Sequence, residues 1–483
     1  MTDIAFAPAR RLAAMVRKRE IGCLELLDHY VDRVDRYNPL LNAIVATDLP
    51  AARKRARLAD RALAKGEVWG PFHGVPMTVK EAIQVAGLPT TFGAPQYRDN
   101  IAQTDALVVG RWRNAGAVVF GKTNVPIWLM DHQSFNEIYG VTKNPWDLAR
   151  SPGGSSGGAA AAVASGLTGI EVGSDIASSI RNPAHCCGIF GHKPTYGICP
   201  PSGHTVRGRI SPDDINVIGP LARSAADLET ALGVIAGPDE MDSVGYGLAL
   251  PAPRKKALKD FKVAVMLSDP TSEVDHEMQD SLQALADFLA KKKVEVSDKA
   301  RPALDMDRAH WLFNMMLRAA TSHRQTDEEF ARNTKTADGL AIDDHGFGAR
   351  AMRGQTMRHR DWLVLNEERT RMRWAWHEFF KEYDLFVCPL VPTAAYRHET
   401  NMPGQRTVEI NGKTMPFGQT LFWAGLIGLP YLPATAIPTG FSKEKLPLGI
   451  QMAGPQYGDR TCIHMAKLLE KEYCGFVPPP AFV

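Results

Sequence analysis

Three segments of the chain combine residue types that could carry out chemistry. Residues 151–158 read SPGGSSGG, so Ser155 and Ser156 stand between two pairs of glycines. Glycine tolerates positive φ and close backbone approach, which predicts a tight turn that presents the two serines. A second serine pair stands at 178–179, and Lys80 follows the apolar run VPMTV. Most lysines lie in solvent, so a lysine at the end of a buried strand is unusual.

The glycine-rich turn is compatible with three kinds of chemistry. A phosphate-binding loop requires GxxxxGK[ST], and no lysine follows these glycines. Residues 153–157 match the GxSxG nucleophile elbow, which needs a strand directly before it. The preceding KNPWDLARSP contains two prolines and no apolar alternation, which is a poor strand pattern. In the third interpretation, these serines pass protons to a nucleophile elsewhere in the chain.

Other reactive side chains follow the second serine pair. His185 and His192 would be needed by a Ser-His-Asp group, and an elbow-type hydrolase would make a histidine essential. Cys186 and Cys187 stand in an apolar setting, where cysteine is usually an unreactive core residue.

Strands and helices must position these segments. Short apolar runs at 75–79 and 117–121 predict buried strands, and GGAAAAVASG at 157–166 predicts an internal helix of small residues. Residues 339–360 are interpreted as a loop, and Asn411-Gly412 predicts a type I′ hairpin within 408–415. Alternation of strands with helices indicates the α/β class. Further strands are predicted at 262–267, 429–438 and 448–452, and helices at 278–291, 307–323, 361–383 and 460–472.

Composition restricts the function classes. The chain has 483 residues, 45% hydrophobic and 23% charged, with a net charge of +3. This predicts a large globular protein and argues against nucleic acid or an anionic membrane as the main partner. We expect no membrane span, because no run of 18 apolar residues occurs, and no secretory signal at the start. Seven scattered cysteines, without CxxC or HExxH, predict reduced thiols in the cytoplasm and no zinc site.

Together, the segments resemble the amidase signature family over nearly the whole chain, most densely at 74–228. The resemblance implies one α/β/α domain over residues 1–483, built on a large, mixed, twisted central sheet. It would comprise N-terminal helices (1–68), a catalytic core (69–245) and a helical and loop region that shapes the substrate pocket (300–405). The matching motifs are GVPMTVKEA (74–82), GKTNVP (121–126), NPWD (144–147), SPGGSSGG (151–158), SDIASSIRNPAHCCGIFGHKPT (174–195), GPLARSAADL (219–228), GLP (428–430) and LPLGIQMAG (446–454).

This resemblance implies a Ser–cis-Ser–Lys catalytic group. Lys80 matches the family lysine, Ser155 matches the serine that follows a cis peptide bond, and Ser179 matches the nucleophile. A serine hydroxyl is a weak nucleophile and needs a base. Lysine can serve only when neutral, which requires burial or positive neighbours to lower its pKa from about 10.4. Ser155 would carry the proton from Ser179 to Lys80 and later return it to the leaving amine.

The resemblance also implies an oxyanion hole and its supports. Asp175 and Arg181 are expected to form an ion pair that holds the loop, and Ser156 to donate a hydrogen bond to the catalytic group. Residues 177–178 are Ala-Ser where the family usually has Gly-Gly, so a side chain there costs energy if φ must be positive. The oxyanion donors would be the backbone N–H groups of Ile176, Ala177, Ser178 and Ser179.

The implied activity is hydrolysis of a small-molecule amide through an acyl intermediate on Ser179, without cofactor or metal. Family members also act on esters and carbamates, and many relatives are dimers, so a homodimer stays open. We expect an apolar or aromatic substrate part near 127–131, 311–316 and 422–423, although the Met and Trp residues there suit ordinary core better. The motifs have no neighbouring cluster of Arg or Lys, so nothing in the sequence indicates a strongly anionic substrate. Two alternatives remain: the glutamine-hydrolysing amidotransferase A subunit, which needs partner chains, and a non-catalytic relative, suggested by residues 177–178.

Overall fold

The computed structural model describes residues 4–206, 209–344, 346–401 and 403–483. The α-helices of these residues are α1 (Ala9–Arg17), α2 (Cys23–Leu41), α3 (Leu49–Ala64), α4 (Leu107–Asn114), α5 (Gly157–Ala164), α6 (Arg181–Cys187), α7 (Ala225–Ile235), α8 (His276–Lys291), α9 (Met306–Ala320), α10 (Asp327–Asp338), α11 (Phe347–Gln355), α12 (His359–Glu382), α13 (Leu421–Gly428) and α14 (Asp459–Glu472). The strands are β1 (Ile44–Thr47), β2 (Pro76–Lys80), β3 (Val118–Thr123), β4 (Phe135–Asn136), β5 (Gly140–Val141), β6 (Glu171–Asp175), β7 (Phe190–Lys193), β8 (Val217–Ala222), β9 (Lys262–Val265), β10 (Glu295–Ser297), β11 (Leu385–Pro389), β12 (Thr407–Ile410), β13 (Lys413–Pro416), β14 (Ala434–Phe441) and β15 (Pro447–Ala453).

One large sheet organises the molecule. Within the described residues it has 11 strands in the order β1-β3-β2-β6-β8-β7-β14-β15-β11-β9-β10. Pairing is parallel from β3 through β2 to β6, antiparallel from β6 to β11, and parallel again from β11 through β9 to β10. Helices flank the sheet, so the predicted α/β fold with a large mixed sheet is confirmed.

The position of Lys80 follows from the pairing of β2. Every residue of β2 is buried, as expected for a strand between two parallel neighbours. Thr78 pairs with Glu171 of β6, and Val79 pairs with Val172. Because parallel strands end at the same edge of a sheet, Lys80 lies beside the turn that follows Asp175.

Helix α5 explains the run of small residues after the serine turn. All eight of its residues are buried, as predicted for this segment. A Cβ at Gly158 would lie 2.4 Å from the backbone nitrogen of Asn124, so no larger residue fits there without movement. The close approach places the start of α5, and the serines before it, directly against the strand ends.

Two predictions at the C-terminal half need correction. The interpretation of 339–360 as a loop is wrong, because α11 occupies Phe347–Gln355. Its glycines disfavour helix locally, but α11 packs against α9, and tertiary packing overrides propensity. The strand predicted at 429–438 begins only at Ala434. The hairpin is confirmed: β12 pairs with β13, and Asn411 and Gly412 have φ of 53° and 75°.

Candidate active site

Lys80 lies at the centre of the candidate site. Its side chain is fully buried, and Nζ donates to Ser155 Oγ at 2.6 Å and to Ser174 Oγ at 3.0 Å. Burial lowers the pKa of Lys80 to about 7, and the charge of Arg324 acts in the same direction, while the Asp175 carboxylate opposes it. A substantial fraction of this amine is therefore neutral at neutral pH.

Ser155 reaches Lys80 from a tightly packed turn. The Gly154–Ser155 peptide bond is cis. A Cβ at Gly154 would lie 2.5 Å from the carbonyl oxygen of Asp131, and Gly153 has φ of +83°. Both glycines are thus required by the space and by the backbone conformation of the turn.

Ser179 stands on the neighbouring turn, between β6 and α6. The backbone N–H of Ser156 donates to the carbonyl oxygen of Ser179 at 3.1 Å, which joins the two serine turns. Ser179 lines a cleft whose wall also includes Ile176 and Ala177 of the same turn. Among the described residues, the Ser179 hydroxyl makes no hydrogen bond to Lys80 or Ser155, and catalytic hydrogen bonds often tighten only in the complex with substrate.

Asp175 organises the turn that carries Ser179. It accepts hydrogen bonds from the backbone N–H groups of Ser178 at 2.8 Å and Ile180 at 3.1 Å. The expected ion pair is confirmed, with Arg181 Nη2 at 2.9 Å from Asp175 Oδ1 and both side chains fully buried. Burial alone would raise the pKa of Asp175, but the charge and hydrogen bonds of Arg181 hold it down to about 2. The carboxylate is therefore ionised throughout the neutral range.

The structure corrects the expectation for one oxyanion donor. The Ser178 N–H is already donated to Asp175 Oδ1, so it does not point to a substrate. Within the described part of the chain, the backbone N–H groups of Ile176, Ala177 and Ser179 donate to no protein acceptor. Ser178 has φ of +77°, so this is the position at which the conformation favours glycine.

The second correction concerns the hydrogen bond expected from Ser156. Its hydroxyl donates to the carbonyl oxygen of Ser174 at 3.3 Å and not to the catalytic group. The hydroxyl that contacts Lys80 in addition to that of Ser155 belongs to Ser174, which sequence reasoning missed. Its signal was its place just before Asp175, at the end of a strand parallel to the one that carries Lys80.

The cleft beside Ser179 is open to solvent, and about 690 Å³ of empty space, part of it bulk solvent, lies within its walls. Of the predicted pocket segments, 127–131 contributes Leu129, Met130 and Asp131. The segments 311–316 and 422–423 instead pack in an apolar core that includes Phe313 and Trp423. The cleft is lined instead by the next turn of α9 and by residues 417–421, which lead into α13. The remaining lining residues are His132, Ile176, Ala177, Ser179, Leu317, Arg318, Thr321, Arg324, Phe417, Gly418, Thr420 and Leu421.

Two charged side chains in the cleft wall are paired within the protein, one from the predicted segment 127–131 and one from the segment after α9, which the sequence did not indicate. Arg324 is 2.8 Å from Asp213, and it also donates to the carbonyl oxygen of Trp128 at 2.6 Å. Asp131 is 2.8 Å from Arg406, with both side chains almost fully buried. Each of these two wall charges is therefore balanced within the protein.

The histidines and cysteines near Ser179 have structural roles. His185 accepts from the backbone N–H of Gly449 at 2.9 Å, and its other ring nitrogen contacts the carbonyl oxygen of Thr393. His192 contacts Thr435 and Asp459. Cys186 and Cys187 are buried, and burial raises the pKa of both thiols. The described residues contain no group of three or more His, Cys, Asp or Glu that could hold a metal ion.

Comparison with known proteins identifies the class. The Amidase family model matches residues 25–463. The chain is 31% identical to an indoleacetamide hydrolase of Bradyrhizobium diazoefficiens over 95% of its length and 85% of that protein. It is 32% identical to an acylamidase of Rhodococcus erythropolis, over 97% and 96% respectively. Amidotransferase A subunits that act on glutamyl-tRNA(Gln) match at 28–29% identity.

Solved structures agree with this assignment. The 6-aminohexanoate cyclic dimer hydrolase superimposes with a TM-score of 0.80 and 26% identity, over 99% of this chain and all of that chain. The chain therefore belongs to the Amidase family, and the predicted resemblance is confirmed. It is an amidase, a hydrolase of carbon–nitrogen bonds in linear amides. In the part of the chain that the structure describes, no helix is both long and apolar enough to cross a membrane.

Proposed function

We propose that this amidase cleaves small carboxamides through an acyl intermediate on Ser179, with Lys80 as the base and Ser155 as the proton relay. The observation that carries the proposal is the 2.6 Å hydrogen bond between Lys80 Nζ and Ser155 Oγ in a fully buried setting. A neutral amine in contact with a hydroxyl can take its proton, whereas an ammonium group cannot.

The proposed reaction has two halves. In the first, the neutral Lys80 amine takes the Ser155 proton as Ser155 takes the Ser179 proton, and the Ser179 oxygen attacks the amide carbon. The carbon–nitrogen bond then breaks, and the proton returns through Ser155 to the leaving amine. In the second half, a water molecule loses a proton along the same route and attacks the acyl ester, which releases the acid and restores the Ser179 hydroxyl.

Backbone amides on the turn before Ser179 would stabilise the negative oxygen of each tetrahedral intermediate. The N–H groups of Ile176, Ala177 and Ser179 are the proposed donors. Donors fixed before the reaction stabilise the developing charge without reorganisation. Asp175 and Arg181 support this turn through the buried ion pair and the hydrogen bonds to its backbone.

The cleft favours a substrate with an apolar part. Leu129, Met130, Leu317, Phe417 and Leu421 give it a largely hydrocarbon wall next to Ser179. We propose an amide of modest size with an apolar or aromatic acyl group, and carbamates and esters as secondary substrates. A panel of matched anilide, aliphatic amide, carbamate and ester substrates measures this preference.

The organisation of the whole chain is part of the same proposal. We take residues 1–483 as one domain, supported by a single apolar core cluster that contains both Phe6 and Phe482. The region 300–405 would select the substrate, because Leu317 and Arg318 of α9 line the cleft. Free cysteines support a cytoplasmic location. A homodimer is proposed from the resemblance alone and is checked by light scattering of the purified protein.

A fluorophosphonate probe tests the nucleophile directly. It should label the wild-type protein on the peptide that contains Ser179, and Ser179→Ala should abolish both labelling and amide hydrolysis. Ser156→Ala is the matched control, because that hydroxyl donates only to a backbone carbonyl, and we expect activity within about tenfold of wild type. Labelling that persists in Ser179→Ala, or that maps to Ser155, would overturn the proposal.

The two alternatives make different predictions. An amidotransferase A subunit would hydrolyse glutamine, and only in the presence of its partner chains. A non-catalytic relative would not be labelled at Ser179. Hydrolysis of an apolar amide by the isolated chain would exclude both.

A further inference from the structure

One peptide group on the turn before Ser179 is held from both sides. The carbonyl oxygen of Ala177 accepts a hydrogen bond from His132 Nε2 at 2.7 Å. At the other end of the same peptide, the Ser178 N–H donates to Asp175 Oδ1 at 2.8 Å. A peptide group is planar, so two hydrogen bonds at opposite ends fix its orientation.

The orientation of this peptide determines where its neighbours point. The N–H groups of Ala177 and Ser179 belong to the peptides on either side, and each shares a Cα atom with the fixed one. Within the described residues, these two amides donate to no protein acceptor, whereas the amide between them is occupied by Asp175. A change in ψ of Ala177 or in φ of Ser178 that the other angle does not compensate would turn a flanking amide away from its present direction, and the two hydrogen bonds on the central peptide oppose such a change.

The turn needs this restraint because of its sequence. Ser178 has φ of +77°, a region that residues with a Cβ rarely adopt. Rotation of the peptide between Ala177 and Ser178 is the simplest way for Ser178 to leave that region. The hydrogen bond from His132 opposes this rotation, since the Ala177 carbonyl would lose its partner.

The backbone of His132 is anchored, and its ring acts as a neutral hydrogen-bond donor. It is buried, and its backbone carbonyl accepts a hydrogen bond from Tyr396 Oη. A carbonyl can only accept, so Nε2 must carry the proton that it donates. Burial lowers the pKa of His132, and the hydrogen bond to Ala177 opposes this, so the ring is neutral near pH 7. The neighbouring Gln133 donates to Glu399 at 3.0 Å and accepts from it at 3.1 Å, which anchors the segment.

We propose that His132 is a positioning residue for the oxyanion hole: through the Ala177 carbonyl it keeps the amides of Ala177 and Ser179 aimed at the substrate oxygen. This inference rests on the proposed acyl-enzyme mechanism. The side chain acts as a neutral hydrogen-bond donor, so glutamine, whose Nε2 reaches a similar distance, should replace it. Leucine, which has no donor, and asparagine, which is shorter, should not.

The experiment compares His132→Gln, His132→Leu and His132→Asn. We expect His132→Gln to keep kcat within about fivefold of wild type, and the other two to lose about 100-fold in kcat, the scale for loss of an oxyanion donor. KM should change little, because the interaction is made in the transition state. An aldehyde inhibitor that forms a tetrahedral adduct should lose affinity in parallel with kcat/KM.

Tyr396→Phe is the matched control. It removes a hydrogen bond to the backbone of the same residue but leaves the His132 side chain bonded to Ala177, so we expect less than about threefold loss in kcat. Where His132→Leu does not fold, the pair of glutamine and asparagine variants decides alone.

Two results would overturn the inference. Wild-type kcat in His132→Asn or His132→Leu would show that the contact does not matter. Loss of kcat in His132→Gln as large as in His132→Asn would show that histidine acts in another way, such as proton transfer. Because Ser179 labelling is measured separately, failure of this inference differs from failure of the proposed function, in which Ser179→Ala would still be labelled.

Discussion

Two lysines of this protein occupy equivalent positions but have different neighbours. Lys80 is the last residue of β2, and Lys193 is the last residue of β7. Both side chains are fully buried, and burial lowers the pKa of each to about 7. Nζ of Lys80 contacts the hydroxyls of Ser155 and Ser174. Nζ of Lys193 donates instead to the carbonyl oxygens of Pro194 at 3.0 Å and Leu432 at 2.7 Å.

The difference shows that burial and a lowered pKa do not by themselves make a base. A backbone carbonyl has no proton to give, so Lys193 can only be held in place by its partners. A hydroxyl both donates and accepts, so Lys80 can exchange a proton with Ser155. The partner chemistry, together with the cleft beside Ser179, distinguishes the proposed catalytic lysine from the structural one.

The largest expected effect is on activity after replacement of either lysine by methionine. Lys80→Met should lower kcat/KM by at least about 10³-fold, because it removes the base. Lys193→Met should keep kcat/KM within about tenfold under conditions where both proteins are folded. Steady-state kinetics with one apolar amide measures both, and circular dichroism confirms folding. Equal losses of kcat/KM in the two variants would contradict the distinction between a catalytic Lys80 and a structural Lys193.

Ser174→Ala should have a smaller effect. The variant removes one hydrogen-bond acceptor from Lys80 Nζ but leaves Ser155 in contact, so we expect about a tenfold loss in kcat. A hydroxyl stabilises the ammonium form more than the neutral amine, so its loss should lower the pKa of Lys80 further. The acid limb of the pH–rate profile should then move to lower pH. A limb that moves to higher pH would contradict this assignment.

The pH dependence of stability should be alike for both lysines. Each has a folded-state pKa near 7 and an unfolded value near 10.4, so the unfolded chain binds more protons between these limits. The free energy of unfolding of the wild type should therefore rise with pH from about 7 to 10, relative to either methionine variant. The expected slope is about 1 kcal/mol per pH unit, measured by urea unfolding. If this difference in stability between wild type and variant depends on pH for only one of the two lysines, the two environments differ in more than their hydrogen-bond partners.

Much of the site could be predicted from local sequence. The apolar run before Lys80 predicted a buried strand with a lysine at its end, and the glycines around Ser155 predicted a tight turn. The small residues of α5 predicted close packing. These features are short-range consequences of burial and backbone conformation, so a single segment carries enough information.

Features that depend on long-range packing were missed. Ser174 contacts Lys80 only because β2 and β6 are neighbours, and His132 reaches Ala177 from a separate loop. The segments 311–316 and 422–423 pack against each other in the core, so the cleft is lined by the residues beside them. Only the folded position of Asp175 shows that the Ser178 N–H is already hydrogen-bonded to its carboxylate.

The most direct test of the central claim is the rate of fluorophosphonate labelling of Ser179 between pH 5 and pH 9. Lys80 must be neutral to act, so below its pKa of about 7 the rate should fall about tenfold per pH unit, and above pH 8 it should level off. Lys193→Met should give the same curve, which excludes the second buried lysine as its origin. A rate that stays constant down to pH 5, or a midpoint that disappears in Lys193→Met, would contradict the claim that Lys80 is the base.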